Sequence, residues 1–252
     1  MRDSLLGWYP IVWEEMVHWR RRFWLYLATY TLSPLIFLLA FGFGVGHRLK
    51  MLMPGGASYL EFLVPGVVAL AVFNNGVTSV TVRMFYNRLH FKSFEAYRLA
   101  PIGNLAVWLG YTVSGALRGL LAGSIVLGLV LLFVPGFRAA PAGLAWLVAV
   151  AFACGAFGVF LGLSLRSFDD QTVISEFIIV PMTFLCGTLI PLERLPGALE
   201  HLVWLLPLTP ATQVLRVSFA GEVPSWETVG LLAGWTGIFF ALGMWQLGRR
   251  ED

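Results

Sequence analysis

The sequence offers few groups that could do chemistry. Four histidines (His18, His47, His90, His201) and two cysteines (Cys154, Cys186) are the soft ligands and thiol nucleophiles available, and none has the spacing of a ligand pair. Each cysteine lies inside an apolar run, where a thiol behaves as an inert packing residue. No Gly-x-Ser-x-Gly elbow occurs. Phosphate-cradling chemistry is also missing: of the two lysines, Lys50 and Lys92, neither follows a glycine, so no Gly-Lys pair can hold a nucleotide's phosphates. What remains is charge and polarity inside long apolar stretches. Arg118 and Glu176 are isolated in such runs. Asn74, Asn75, Thr78, Ser79 and Thr81 make a third run polar along one half, and Thr183 adds a hydroxyl to the run of Glu176.

Composition explains those surroundings. The chain of 252 residues is 58% hydrophobic and 12% charged, against about 25% charged in ordinary soluble domains. So few charges cannot cover a water-soluble fold, so this reads as an all-α polytopic membrane protein. A pI near 9.1 superficially suggests nucleic acid, but basic residues gathered on one membrane face produce the same value, and no nucleic-acid partner is expected. An arginine at mid-bilayer costs about 2.5–3.5 kcal/mol on insertion scales, so Arg118 must face protein or water and is read as a buried structural charge.

Six runs are long enough to cross about 30 Å of hydrocarbon, near 23–46, 60–82, 104–133, 142–165, 172–190 and 226–247. The first is too long for a signal-peptide core and has no small-residue cleavage site, so it is expected to be retained. Its end, Gly42-Phe43-Gly44-Val45-Gly46, imitates a dinucleotide fingerprint but has His47 where the third glycine belongs. With the N-terminus inside, Arg2, Arg20, Arg21, Arg22, Arg83, Arg88, Lys92, Arg98, Arg166, Arg249 and Arg250 are cytosolic. Only Arg48, Lys50, Arg138, Arg194 and Arg216 are outside. The positive-inside rule therefore puts both termini in the cytosol.

Three further elements are expected. Residues 8–22 form an interfacial amphipathic helix, with Trp8, Val12, Met16 and Trp19 on its apolar side. Residues 83–101, basic and aromatic and closed by Pro101, form a cytosolic loop containing a short helix. Residues 191–221, apolar but broken by Pro191, Pro196, Pro207 and Pro210, form a re-entrant helical hairpin between spans five and six. Small residues at four-residue spacing, Gly115-Gly119-Gly123 and Cys154-Gly158-Gly162, predict close helix packing within the subunit. No second domain is indicated, so 1–252 reads as one unit. Glu14-Glu15 followed by Arg20 is similar to the paired-glutamate motif of intramembrane CAAX-type proteases. Here the arginine stands one residue too far along and the pair precedes every span, which argues against an enzyme.

Several stretches, in order, resemble the permease subunits of type 2 ABC exporters, the class containing drug-resistance, polysaccharide and nodulation lipo-oligosaccharide exporters. They are Tyr59-Leu60-Glu61-Phe62-Leu63-Val64-Pro65-Gly66, Phe94-Glu95-Ala96-Tyr97-Arg98-Leu99-Ala100-Pro101, Gly115-Ala116-Leu117-Arg118-Gly119, Phe168-Asp169-Asp170 and Pro207-Leu208-Thr209-Pro210. The resemblance covers nearly the whole chain. It implies a single transmembrane domain in a bacterial inner membrane, paired with a second permease copy in a homodimer or heterodimer. Two copies of a separate ATPase would carry ATP and Mg, with no cofactor on this chain. The interfacial helix and first cytosolic loop would contact the ATPase, through Glu14, Glu15, Arg88, Lys92, Phe94, Glu95 and Arg98. A pathway for an amphipathic or lipid-linked substrate would run along Asn74, Asn75, Thr78, Thr81, Glu176 and Thr183. The rival reading is a stand-alone proton- or ion-coupled transporter, which normally needs acids deep in several spans; only Glu176 qualifies.

Overall fold

A computed structural model describes residues 7–45, 59–91, 102–134, 137 and 139–249. Most of these residues are helical, and no strand is among them. In order the helices are α1 (Tyr9–Arg21), α2 (Phe23–Phe37), α3 (Tyr59–Phe85), α4 (Asn104–Phe133), α5 (Pro141–Ser164), α6 (Phe168–Ile174), α7 (Val180–Leu185), α8 (Gly197–Trp204), α9 (Leu208–Phe219) and α10 (Trp226–Gly248). Wider π-type turns extend α2 over Leu38–Val45 and α3 over Tyr86–His90, and join α6 to α7 over Ser175–Ile179. In α2 the change of winding follows Pro34, which has no amide to donate to the carbonyl of Tyr30.

Five helices among the described residues are long and apolar enough to cross a bilayer: Phe23–Phe41, Tyr59–His90, Asn104–Phe133, Pro141–Ser164 and Trp226–Gly248. The chain is an all-α, multi-pass membrane protein. Helix α3 with its π-type extension has 32 residues, about 48 Å at 1.5 Å per residue. That exceeds the hydrocarbon by several turns, so one end must project into the headgroup region or beyond. The end carrying Arg83, Arg88 and His90 is the polar one.

The fifth expected span is the one that changes most. Instead of an apolar helix over 172–190, the chain helps itself to a helix already at Phe168 and leaves it at Leu185. Ser167 starts it with a capping box: its hydroxyl accepts the Asp170 amide at 3.1 Å, and the Asp170 carboxylate accepts the Ser167 amide at 3.2 Å. With Asp169, Asp170, Gln171 and Glu176 inside it, this helix is not among the five. Gly187, at φ 70°, then turns the chain, a conformation that favours glycine. The proline-broken region forms the expected pair of short helices, α8 and α9, which meet at 89°. Helix α9 begins at Leu208, ahead of Pro210, because proline is tolerated in a first turn whose amides have no intrahelical acceptor.

Helices α3, α4 and α5 form the centre, packed against one another more extensively than any other elements. Small residues anticipated from spacing close this trio: a Cβ on Gly158 would stand 2.8 Å from the Val77 carbonyl oxygen, and one on Gly119 3.0 Å from that of Val72. The tightest approach is at Gly155, outside both expected stripes, where a Cβ would stand 2.3 Å from the Thr112 carbonyl oxygen. Backbones can come this close only where side chains are absent. Helix α10 covers α5, α9 wedges against α3 and α5, and α1 lies along α4.

Candidate functional site

Helix α1 shows how the site is built. Its inward face is Ile11, Val12 and Glu15, all buried, while Met16 is half exposed. The apolar face is thus rotated from the Trp8-Val12-Met16-Trp19 stripe read from spacing, and a glutamate lies within it. Glu15 is 1% exposed. It divides its carboxylate between two helices: Oε1 accepts from Arg118 Nε of α4, and Oε2 from Arg83 Nη1 of α3. The other terminal nitrogen of Arg83 reaches Glu14 at 2.7 Å. The Arg118 guanidinium also lies 5.3 Å from the centroid of the Tyr26 ring on α2. One carboxylate therefore ties the peripheral α1 to two helices of the central trio. It also answers how Arg118, central in α4 by sequence, is tolerated: Glu15 neutralises it.

This geometry corrects the expected role of Glu15. A side chain with 1% exposure, engaged on both oxygens, has no surface to give an ATPase. Glu14 remains 41% exposed beside it. Arg88 is corrected as well. Its guanidinium turns inward and donates to the carbonyls of Gly162, Leu163 and Leu165, all within 2.8 Å. There it closes the C-terminus of α5, where orphan carbonyls and the helix dipole favour a cation. Around it, Phe85 and Tyr86 pack edge-on against Phe168, with centroids 4.9 and 5.8 Å apart. Asn87 donates to the Tyr111 hydroxyl at 2.9 Å. The root of the 83–101 loop is thereby fastened to α4, α5 and α6. The expected contacts Lys92, Phe94, Glu95 and Arg98 lie outside the described residues.

The polar stripe of α3 is accessible over most of its length. Asn74 and Thr78 are exposed; Asn75 and Ser79 are half-buried and bond within their own helix, Asn75 to the Ala71 carbonyl at 2.9 Å. Two hollows adjoin this stripe. An open groove of about 720 Å³ is lined by Glu14, His18, Thr78, Ser79, Val82, Arg83, Tyr86, Asn87, Phe91 and Arg118. A smaller hollow of about 200 Å³ lies between α2 and α3, lined by Thr29, Pro34, Phe37, Val67, Leu70, Ala71, Asn74 and Asn75. Thr81 does not belong to this surface, which corrects the pathway assignment. It is 3% exposed, and its hydroxyl lies 2.9 and 3.2 Å from the carbonyls of Val77 and Gly158, at the α3–α5 seam. Glu176 is exposed on the π-type turn before α7, away from both groove linings, and Thr183 bonds its own helix at the Ile179 carbonyl, 2.9 Å away.

His18, Arg83, Tyr86, Asn87 and Phe91 were not among the expected site residues, yet all line the groove. For two of them the signal was present: Arg83 and Tyr86 continue, at helical spacing, the stripe of Asn75 and Ser79. Among the described residues no three His, Cys, Asp or Glu side chains converge as a metal site.

At the opposite end of α3, Tyr59 donates to the Leu189 carbonyl at 3.1 Å, and Arg216 of α9 donates to that of Gly187 at 2.6 Å. The Arg216 guanidinium also lies 3.9 Å from the centroid of the Phe62 ring. The chain after α7 is thus pinned on both sides.

Comparison with known proteins agrees with this architecture. The inner membrane transport permease YadH of Escherichia coli K12 is 28% identical over 250 residues, covering 95% of this chain and 93% of its own. Nodulation protein J of Rhizobium meliloti is 26% identical over 229 residues, covering 83% of this chain and 82% of its own. That of Bradyrhizobium diazoefficiens is 27% identical over 227 residues, at 86% and 82%. The profile described as ABC-2 type transporter matches residues 8–220, from the start of α1 to the end of α9, and the chain therefore belongs to the ABC-2 type transporter family.

Proposed function

We propose that this chain is the membrane subunit of an ABC exporter that moves an amphipathic or lipid-linked molecule outward or between leaflets. The work comes from ATP and Mg held by a separate ATPase, one copy beneath each of two permease chains. The observation that carries the reading is a division of labour. A chain matched over 8–220 to a family of ABC permeases has two lysines, neither preceded by glycine, and so brings no phosphate-gripping loop of its own. The relatives named as inner membrane transport permeases support the bacterial inner membrane as its location. The excess of arginines on the side of Arg83 and Arg88 supports a cytosolic N-terminus.

The ATPase engages the segment following Phe91, through Lys92, Phe94, Glu95 and Arg98, together with Glu14 of α1. Arg88, just ahead of that segment in sequence, anchors the end of α3 on α5, so force applied at the loop reaches α5 and α6 as well as α3. Co-expression with the partner ATPase tests this. Glu95→Ala and Arg98→Ala are expected to abolish ATP-driven transport while the permease still assembles in the membrane. Transport by both variants at the wild-type rate, or gradient-driven transport by the permease alone in liposomes, would replace this reading with that of a secondary transporter.

A further inference from the structure

The corner where α1 gives way to α2 carries a surface that the exporter reading leaves unassigned. One side of α1 lies against the trio through Ile11, Val12 and Glu15. A second stripe faces outward: Tyr9, Trp13 and Met16, each about half exposed, follow one another at helical spacing. The Tyr9 and Trp13 rings stack with centroids 6.0 Å apart. One turn beyond Met16 the stripe ends in Arg20, and Arg21 and Arg22 follow; all three are exposed. The chain leaves helical geometry at Arg22 (φ −126°, ψ 28°) and enters α2 at Phe23.

Charge and depth narrow what covers this surface. Among the described residues no ion pair involves Arg20, Arg21 or Arg22. The acids of α1 are engaged elsewhere, Glu15 by Arg83 and Arg118 and Glu14 by Arg83. Depth follows from the chain: α2 is long and apolar enough to cross the bilayer, so the residues just ahead of Phe23 stand within a turn of the hydrocarbon boundary. Tyrosine and tryptophan rings settle at that level, and guanidinium groups there meet lipid phosphates, which they hold by charge-assisted, often bidentate bonds. A soluble anion would account for the arginines but not for the aromatic stripe that leads to them.

Independently of the exporter reading, we propose that this corner seats the headgroup of an anionic phospholipid. Its phosphate lies among Arg20, Arg21 and Arg22, with Tyr9, Trp13 and Met16 resting in the headgroup layer beside it. Because Glu15 fastens α1 to α3 and α4, a lipid held here bears on the central trio as well.

The test uses the full chain in phosphatidylcholine nanodiscs, with a bimane dye on Met16→Cys; Cys154 and Cys186 are buried and stay unlabelled. Phosphatidylglycerol and phosphatidylcholine bearing the same nitroxide near the top of one acyl chain are compared as quenchers. Phosphatidylglycerol is expected to quench in preference, and the preference to fall as salt rises. Arg20→Gln, Arg21→Gln and Arg22→Gln should each lower it by up to about fivefold, the worth of one basic residue near an anionic surface. The triple variant should abolish it, whereas Arg166→Gln with Arg249→Gln, at two other exposed arginines, should leave it unchanged. Equal quenching by the two lipids, or an undiminished preference in the triple variant, would overturn the proposal. So would loss of the preference in the Arg166 and Arg249 variant, since net charge alone would then be at work. Abolition by inorganic phosphate but not by chloride at equal ionic strength would assign the arginines to a soluble anion instead. Quenching by neither lipid, with cross-linking of two copies through Met16→Cys, would make the stripe a subunit contact and likewise refute the lipid.

Discussion

The central trio and the helices around it are held by different physics. In α3, 72% of the most apolar stretch is buried, against 18% in α2 and 17% in α10. The trio closes through backbone-to-backbone approach at Gly155, Gly158 and Gly119. By contrast Gly230, Gly234 and Gly237 of α10 have open space where a Cβ would stand. In lipid there is no hydrophobic gain in bringing two apolar helices together, so cohesion must come from dispersion at close range and from polar contacts. The outer helices keep their large side chains outward instead: Trp24, Trp226 and Trp245 are more than half exposed, near helix ends where the bilayer interface favours them. Helix α1 uses the second source of cohesion. It is fastened to the trio by one buried carboxylate, which makes Glu15 the joint between periphery and centre.

Three sets of substitutions would break or sharpen this contrast. The largest effect is expected at Glu15. Glu15→Ala leaves Arg118 and half of Arg83's pairing uncompensated, a loss of about 3–5 kcal/mol for a broken buried pair, read by thermal unfolding in detergent. Adding Arg118→Met should recover part of it, because the orphaned charge is then gone. If the single variant unfolds like the wild type, α1 is not held by this joint. Next is Gly155→Ala, whose new Cβ meets a backbone oxygen that cannot rotate away. It should cost about 3 kcal/mol, whereas Gly237→Ala in α10 should stay within about 0.5 kcal/mol. Equal effects at the two sites would erase the distinction between centre and periphery.

The smallest effect concerns the cap of α6. The Arg166 amide, donating to the Asp170 carboxylate at 2.8 Å, holds that carboxyl below its ordinary value, with Ser167 assisting. A lowered folded-state pKa stabilises above the unfolded value, near 3.9, and the contribution disappears as pH falls through the folded value. Hydrogen exchange over 168–175 should therefore speed up in the wild type only below about pH 4. Asp170→Asn should remove that pH dependence. A profile identical in both proteins would show that the carboxylate does not hold this end.

Much of this was legible from one-dimensional signals. Long apolar runs gave the helices, prolines gave the bend between α8 and α9, and glycine spacing gave the seams of the trio. The misreadings share a cause. Trp8, Val12, Met16 and Trp19 do recur at helical spacing, but the buried face is centred on Ile11, Val12 and Glu15, because a partner charge on α4 makes a glutamate an inward residue. Thr81 has the same chemistry as Thr78, yet one is sealed against Gly158 and the other open. Arg88 looks like a surface cation until the end of α5 is placed beside it.

By itself, then, the sequence determined that the chain is a helical membrane protein in which neither lysine follows a glycine, since both follow from residue type and run length. Only the tertiary structure decided which charges are paired inside and which groups line the groove. Burial of a charge depends on what stands within a few ångströms, and Glu15 finds its partners 68 and 103 residues away.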